Sequence, residues 1–227
     1  MRSAKTIGRA IHDRVYRHLI DPWYDRRLGI DVAEPHWPSQ LELTGPHAKY
    51  AQEYLGTPAW IFHRAMSALQ IDVRRFVFVD YGCGKGRVLV LAAQRPFLRV
   101  EGIELSEPMH RIACENIARA QARGMLRAPL IAHRIDAADY VLPPEPLVVY
   151  LFDPFGAQVV SLVADNIEAS LRDNPREVFV VYLNAEHRDC FAERPCLEEV
   201  TRSRVTRMLD RLVSRWSIVV YRARFPS

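Results

Sequence analysis

The chain has 227 residues, 49% of them hydrophobic and 26% charged. These are the proportions of a soluble folded chain, one large domain or one domain plus an appendage, and they exclude disorder over the whole length. The net charge of +4 is unevenly placed: residues 1–30 hold seven basic and three acidic side chains, and the remainder balances. By bulk charge the body is not a basic nucleic-acid-binding domain, and an anionic partner would be drawn to residues 1–30.

In chain order, residues 1–49 read as an N-terminal helical arm and loop, and residues 50–227 as the main domain. Ile7, Ile11, Val15 and Leu19 recur every four residues, which predicts a short helix packing an apolar stripe on the body. Pro35, Pro38, Gly45 and Pro46 mark a loop. Thr57-Pro58 then opens a helix, with Thr57 as the expected N-cap and Pro58 in the first turn. Its buried face is Ile61, Phe62, Ala65, Met66 and Leu69. From Phe76 onward strands and helices alternate. Strands are expected over 76–79, 100–103, 130–135, 147–152 and 178–183, with two more within 196–206 and 215–223. Helices lie over 86–95, after the Ser106 cap, and through Val159, Val163, Ile167 and Leu171. This alternation predicts an α/β fold: a seven-stranded, mostly parallel sheet with the last strand antiparallel and helices on both faces.

The cysteines at 83, 114, 190 and 196 show no C-x-x-C spacing, and no His/Cys/Asp cluster has the spacing of metal ligands. No apolar stretch reaches 18 residues, and none follows the first basic residues as in a secretory signal. A reducing, cytoplasmic setting is the expectation. His63, His187, Trp216 and Tyr221 read as structural residues.

The most specific segment is Asp80-Tyr81-Gly82-Cys83-Gly84-Lys85-Gly86-Arg87. A dinucleotide fingerprint needs its third glycine at 87, where Arg87 stands, and a Walker loop needs Ser or Thr after Lys85, where Gly86 stands. What remains is an acid at a strand end followed by a glycine loop that a ligand can approach closely. Further acids close the next strands: Glu104, placed to accept ribose hydroxyls, and Asp136, placed to accept from an exocyclic amine. Asp153-Pro154-Phe155 closes the fourth.

These residues resemble the class I S-adenosylmethionine-dependent methyltransferases over roughly residues 50–223. Asp80, Gly82, Gly84 and Gly86 fit the first motif of that family, within a bacterial-type Gly-Cys-Gly-Lys-Gly-Arg segment. Glu104, Asp136-Ala137 and Asp153-Pro154-Phe155 fit the second, third and fourth. The resemblance implies that S-adenosyl-L-methionine is the cofactor. It would be bound by Asp80, Tyr81, Gly82, Cys83, Gly84 and Gly86 at its methionine part, by Glu104 and Leu105 at the ribose, and by Asp136 and Ala137 at the adenine. It makes Asp153 and Phe155 the catalytic pair, with Asp153 also at the cofactor. The stretch 50–57 is similar to the cofactor-covering segment of non-SET protein-lysine methyltransferases, which adds Tyr54 and Thr57. Asp-Pro-Phe has one proline fewer than the amino-group methyltransferase motif. The expected acceptor is therefore an amine nitrogen of a protein or a small molecule, with nucleic acid possible. Two rival functions are a non-catalytic adaptor on this fold and a nucleotide-cofactor oxidoreductase.

Overall fold

The structure is a computed structural model that describes residues 15–32, 43, 45–50, 56–200 and 216–224. One seven-stranded sheet organises it. Its strands are β1 (Val77–Tyr81), β2 (Arg99–Glu104), β3 (Leu130–Arg134), β4 (Leu147–Phe152), β5 (Val178–Leu183), β6 (Leu197–Glu199) and β7 (Ile218–Ala223), in the spatial order β3-β2-β1-β4-β5-β7-β6. All neighbours are parallel except β7, which runs antiparallel to both β5 and β6. The expected fold is thus present, with the C-terminal strand slotted inside a short edge strand.

The helices are α1 (Asp21–Leu28), α2 (Ala59–Ser67), α3 (Arg87–Ala93), α4 (Glu107–Ala122), α5 (Ala157–Asp173) and the short α6 (Asp189–Ala192). Ser106 caps α4 as expected, its hydroxyl accepting from Met109 N–H at 3.4 Å. None of the helices among the described residues is long and apolar enough to cross a membrane.

Strand periodicity sorts the core into two layers. Phe76, Phe78, Val148, Tyr150 and Val181 face a cluster with Ile61 and Phe62 of α2 and Leu89 of α3. Val77, Val79, Tyr81, Val149 and Val180 face Val159, Val163 and Ile167 of α5. By this alternation Asp80 lies on the first face and Tyr81 on the second. Gly102, the β2 neighbour of Asp80, lets Leu89 and Cys83 pack directly onto the sheet: an added Cβ would stand 2.5 Å from Leu89 Cδ1 and 2.9 Å from Cys83 Sγ.

Two expectations for the N-terminal half need correction. Val15 and Leu19, the described members of the apolar stripe, are exposed rather than packed on the body, while Ile7 and Ile11 lie outside the described residues. What docks instead is the segment that follows. Leu28, Ile30 and Val32 enter the first core layer, and Asn116 of α4 accepts Asp31 N–H at 2.8 Å and donates back to the Asp31 carbonyl at 3.0 Å. These contacts cross the division drawn at residue 50.

Thr57 is not the cap of α2. The N-cap position is Pro58, and no side chain local to the turn bonds the helix start. The acceptor comes from α1, where Asp21 Oδ1 takes Ala59 N–H at 3.1 Å. A carboxylate there also meets the positive end of the helix dipole.

Candidate functional site

The carboxyl ends of β1–β5 open into one cleft, where ligands of such sheets are bound. Thr57, Asp80, Gly82, Cys83, Gly84, Glu104, Leu105, Asp136, Ala137, Asp153 and Phe155 all line it. The parallel register explains this: four successive strands end together, and each ends on an acid or a glycine loop.

Two residues assigned to the cofactor lie elsewhere. Tyr81 does not line the cleft; its side chain is buried on the opposite face and packs edge-on against Tyr140, with ring centroids 5.9 Å apart. Gly86 does not line it either. A Cβ there would stand 3.2 Å from Ala113 Cβ, so this glycine sets the approach of α3 to α4. Tyr54 lies outside the described residues.

Gly82 has φ +74° and its missing Cβ would stand 2.5 Å from Pro154 Cβ. A side chain here would push the loop after β1 away from the Asp153-Pro154-Phe155 turn. The glycine therefore joins two walls of the cleft as well as tolerating the left-handed backbone.

The electrostatics centre on Asp80. Its carboxyl is almost wholly buried and accepts no hydrogen bond among the described residues. Burial pushes its pKa well above the ordinary carboxylate value, and the charge of Glu104 pushes it further. Its register neighbour Tyr150 buries a hydroxyl that makes no hydrogen bond of good geometry among the described residues, with the Thr57 side chain beside it. Natural interiors rarely leave a buried charged group unpaired, and such a group marks a place where a ligand completes the pairing.

Glu104 is held differently. Gly84 N–H reaches one carboxylate oxygen at 2.8 Å and Ser106 N–H the other at 2.8 Å. Burial raises its pKa, and these backbone bonds oppose the rise. The Leu105 backbone N–H acts on the carboxylate in the same way, which leaves part of its four-site acceptor capacity for a ligand. Cys83 is a buried thiol over Gly102; burial first, then the charges of Glu104 and Asp80, push its pKa well up. That suits a packing thiol and works against a thiolate nucleophile.

At the β4 end, Asp153 has φ +41°. Asn184 Nδ2 donates to its Oδ2 at 2.9 Å and the Tyr182 hydroxyl to its Oδ1 at 3.4 Å. Burial and the charge of Glu186 raise its pKa, against those hydrogen bonds and the nearby His187. Among the described residues, no group of three or more His, Cys, Asp or Glu side chains is placed to hold a metal ion.

Sequence reasoning overlooked several cleft residues. Asn184, also left-handed at φ +50°, stands at the end of β5 and could have been found from the rule that ligands sit at strand carboxyl ends. Trp216, read as strand packing, lines the cleft with Phe152, their rings edge-to-face at 5.5 Å. His47 lines it too, with Nδ1 2.9 Å from Asp136 Oδ2. Nothing in the sequence spacing joins residues 47 and 136.

Arg87, which stands where a dinucleotide-binding loop has glycine, anchors the loop. Its Nε and Nη2 grip Asp25 at 3.0 and 2.6 Å, Nη1 donates to the Thr57 carbonyl at 3.2 Å, and Asp21 lies 3.7 Å away. All three side chains are buried.

No family model matches the sequence, and comparison with curated proteins found no match. Solved structures do match. The chain shares its fold with TrmN from Thermus thermophilus (13% identity, TM-score 0.52, covering 74% of this chain and 49% of that one). It shares it also with the methyltransferase domain of bacterial CtHen1-C (14%, 0.51, 72% and 96%) and with the 23S rRNA methyltransferase ErmE (18%, 0.50, 75% and 70%). The chain has the Rossmann-like methyltransferase fold.

Proposed function

We propose that the protein is an S-adenosylmethionine-dependent methyltransferase acting on an amine nitrogen. The observation that carries this reading is the buried Asp80 carboxyl in the cleft, which has no hydrogen-bond donor or cation on it among the described residues. It calls for a cationic partner, and the cofactor's methionine ammonium is one. The cleft fits the rest of the molecule in order. Asp80 and Glu104 lie in β1 and β2 and Asp136 follows the end of β3, and adjacent strands stand ~4.8 Å apart. Amine, ribose and base would thus be met in sequence along the sheet.

When bound, the cofactor supplies a methyl group already activated by its sulfonium. The protein's own work is alignment and exclusion of water, which provides about 7–11 kcal/mol in well-oriented systems. Asp80 would fix the methionine end and Glu104 the ribose diol. Phe152, Phe155 and Trp216 line the β4–β5 side of the cleft, where they would keep water from the acceptor. Asp153 is held by Asn184 and Tyr182 with lone pairs to spare, so it would accept an acceptor N–H and aim the nitrogen lone pair. Its raised pKa makes it a better proton acceptor for the amine after transfer. The similar solved proteins include an rRNA methyltransferase; the acceptor class proposed here, a protein or small-molecule amine, rests on the neutral body charge and on Asp153.

Calorimetric titration with S-adenosylmethionine and S-adenosylhomocysteine tests the reading. Binding is expected, weakened at least about tenfold by Glu104→Ala, since charge-assisted hydrogen bonds are worth ~1.5–3 kcal/mol. Folded protein that binds neither compound would favour the adaptor, and binding of NAD instead would favour the oxidoreductase.

A further inference from the structure

We infer that His47, rather than Asp136, reads the amino group on the cofactor's base, with Asp136 serving as its positioning residue. The inference rests on the cofactor reading above. Each oxygen of Asp136 already holds one partner, Oδ1 accepting Ala138 N–H at 3.0 Å and Oδ2 lying 2.9 Å from His47 Nδ1, and each keeps one further lone pair, so exposure decides between the two side chains. The imidazole is the more open of the two, with 26% of its side chain exposed against 10% for the carboxylate. Both line the cleft at the β3 end, beside Ala137 and Leu43.

The pairing determines the ring's chemistry. An ionised carboxylate only accepts, so His47 Nδ1 carries the hydrogen it donates to Asp136. In the neutral imidazole Nε2 is then left with a lone pair, able to accept from an exocyclic N–H. This is the logic by which a carboxylate behind a histidine fixes its tautomer and orientation in many sites. His47 thereby brings a segment N-terminal to the sheet domain into base recognition. It would discriminate an aminopurine from a purine without the amino group.

The test compares two probes by calorimetry: S-adenosylhomocysteine and its analogue lacking the 6-amino group. Wild-type protein is expected to prefer the amino compound by about tenfold, the upper value of one good hydrogen bond. His47→Ala should retain S-adenosylhomocysteine binding but shrink the preference to within about twofold. His47→Gln, whose amide carbonyl can still accept, should keep most of it. An unchanged preference in His47→Ala would overturn the inference, as would equal binding of the two probes by wild type. Failure of wild type to bind either probe would instead remove the cofactor reading on which the inference stands.

Discussion

Asp80→Asn is expected to weaken S-adenosylmethionine binding by about 10–100-fold while leaving the ligand-free protein more stable. The first effect follows from replacing a carboxylate–ammonium pair with a neutral contact, a loss of about 1.5–3 kcal/mol. The second follows from burial. Asp80 has no hydrogen-bond donor among the described residues, and its pKa is raised by desolvation and then by Glu104. A carboxyl whose folded pKa lies above its unfolded one stabilises the fold below the unfolded value. It loses that contribution as pH rises through the folded value. Ligand-free wild type should therefore lose stability across that window, and Asp80→Asn should lose less. Glu104, also raised, contributes in the same direction in both proteins. A cationic ligand requires ionised Asp80, so binding should release a proton below the raised pKa and tighten as pH increases. Chemical denaturation against pH, with and without S-adenosylhomocysteine, reads both effects. A variant that binds normally, or is less stable at every pH, would show that Asp80 is not the unpaired acid described.

Arg87→Leu is expected to cost about 3–5 kcal/mol of folding stability, the penalty for breaking a buried ion pair from one side. Asp25 would lose its two-point partner and Asp21 its nearby cation, both inside the fold. Burial already raises the Asp25 pKa despite Arg87, so the orphaned carboxyl would titrate upward and the variant would be selectively weak at higher pH. The double variant Arg87→Leu, Asp25→Leu should recover part of the loss, because a desolvated pair exchanged for apolar contact is often neutral. Urea denaturation of the single and double variants checks this. A loss below about 1 kcal/mol for Arg87→Leu is what an exposed pair would give, and would contradict the burial.

The sheet and the strand-end acids were legible because their determinants are local. A run such as Leu147–Phe152 has no helical alternative once it is short and followed by Asp153-Pro154, and parallel strands then bring their carboxyl ends together. What escaped was set by contacts distant in sequence. Thr57 had the chemistry of a helix cap, but Asp21, 38 residues before Ala59, takes the helix-start N–H. Arg87 could be read only as a missing glycine until Asp25, 62 residues away, appeared beside it. Tyr81 and Gly86 stood inside the motif, yet strand alternation turned one to the far face and helix packing claimed the other. Val15 and Leu19 have the spacing of a packed stripe, but periodicity does not say which helix face finds the core; α1, one turn later, docks through Asp25 and Leu28.

The central claim is that the cleft receives the cofactor with its ammonium on Asp80 and its ribose on Glu104. A crystal structure of the protein grown with S-adenosylhomocysteine tests it most directly. The account predicts the ligand's amine within hydrogen-bonding distance of the Asp80 carboxylate and its ribose hydroxyls on Glu104. A ligand seated elsewhere, or Asp80 still unpaired beneath a bound ligand, would contradict it.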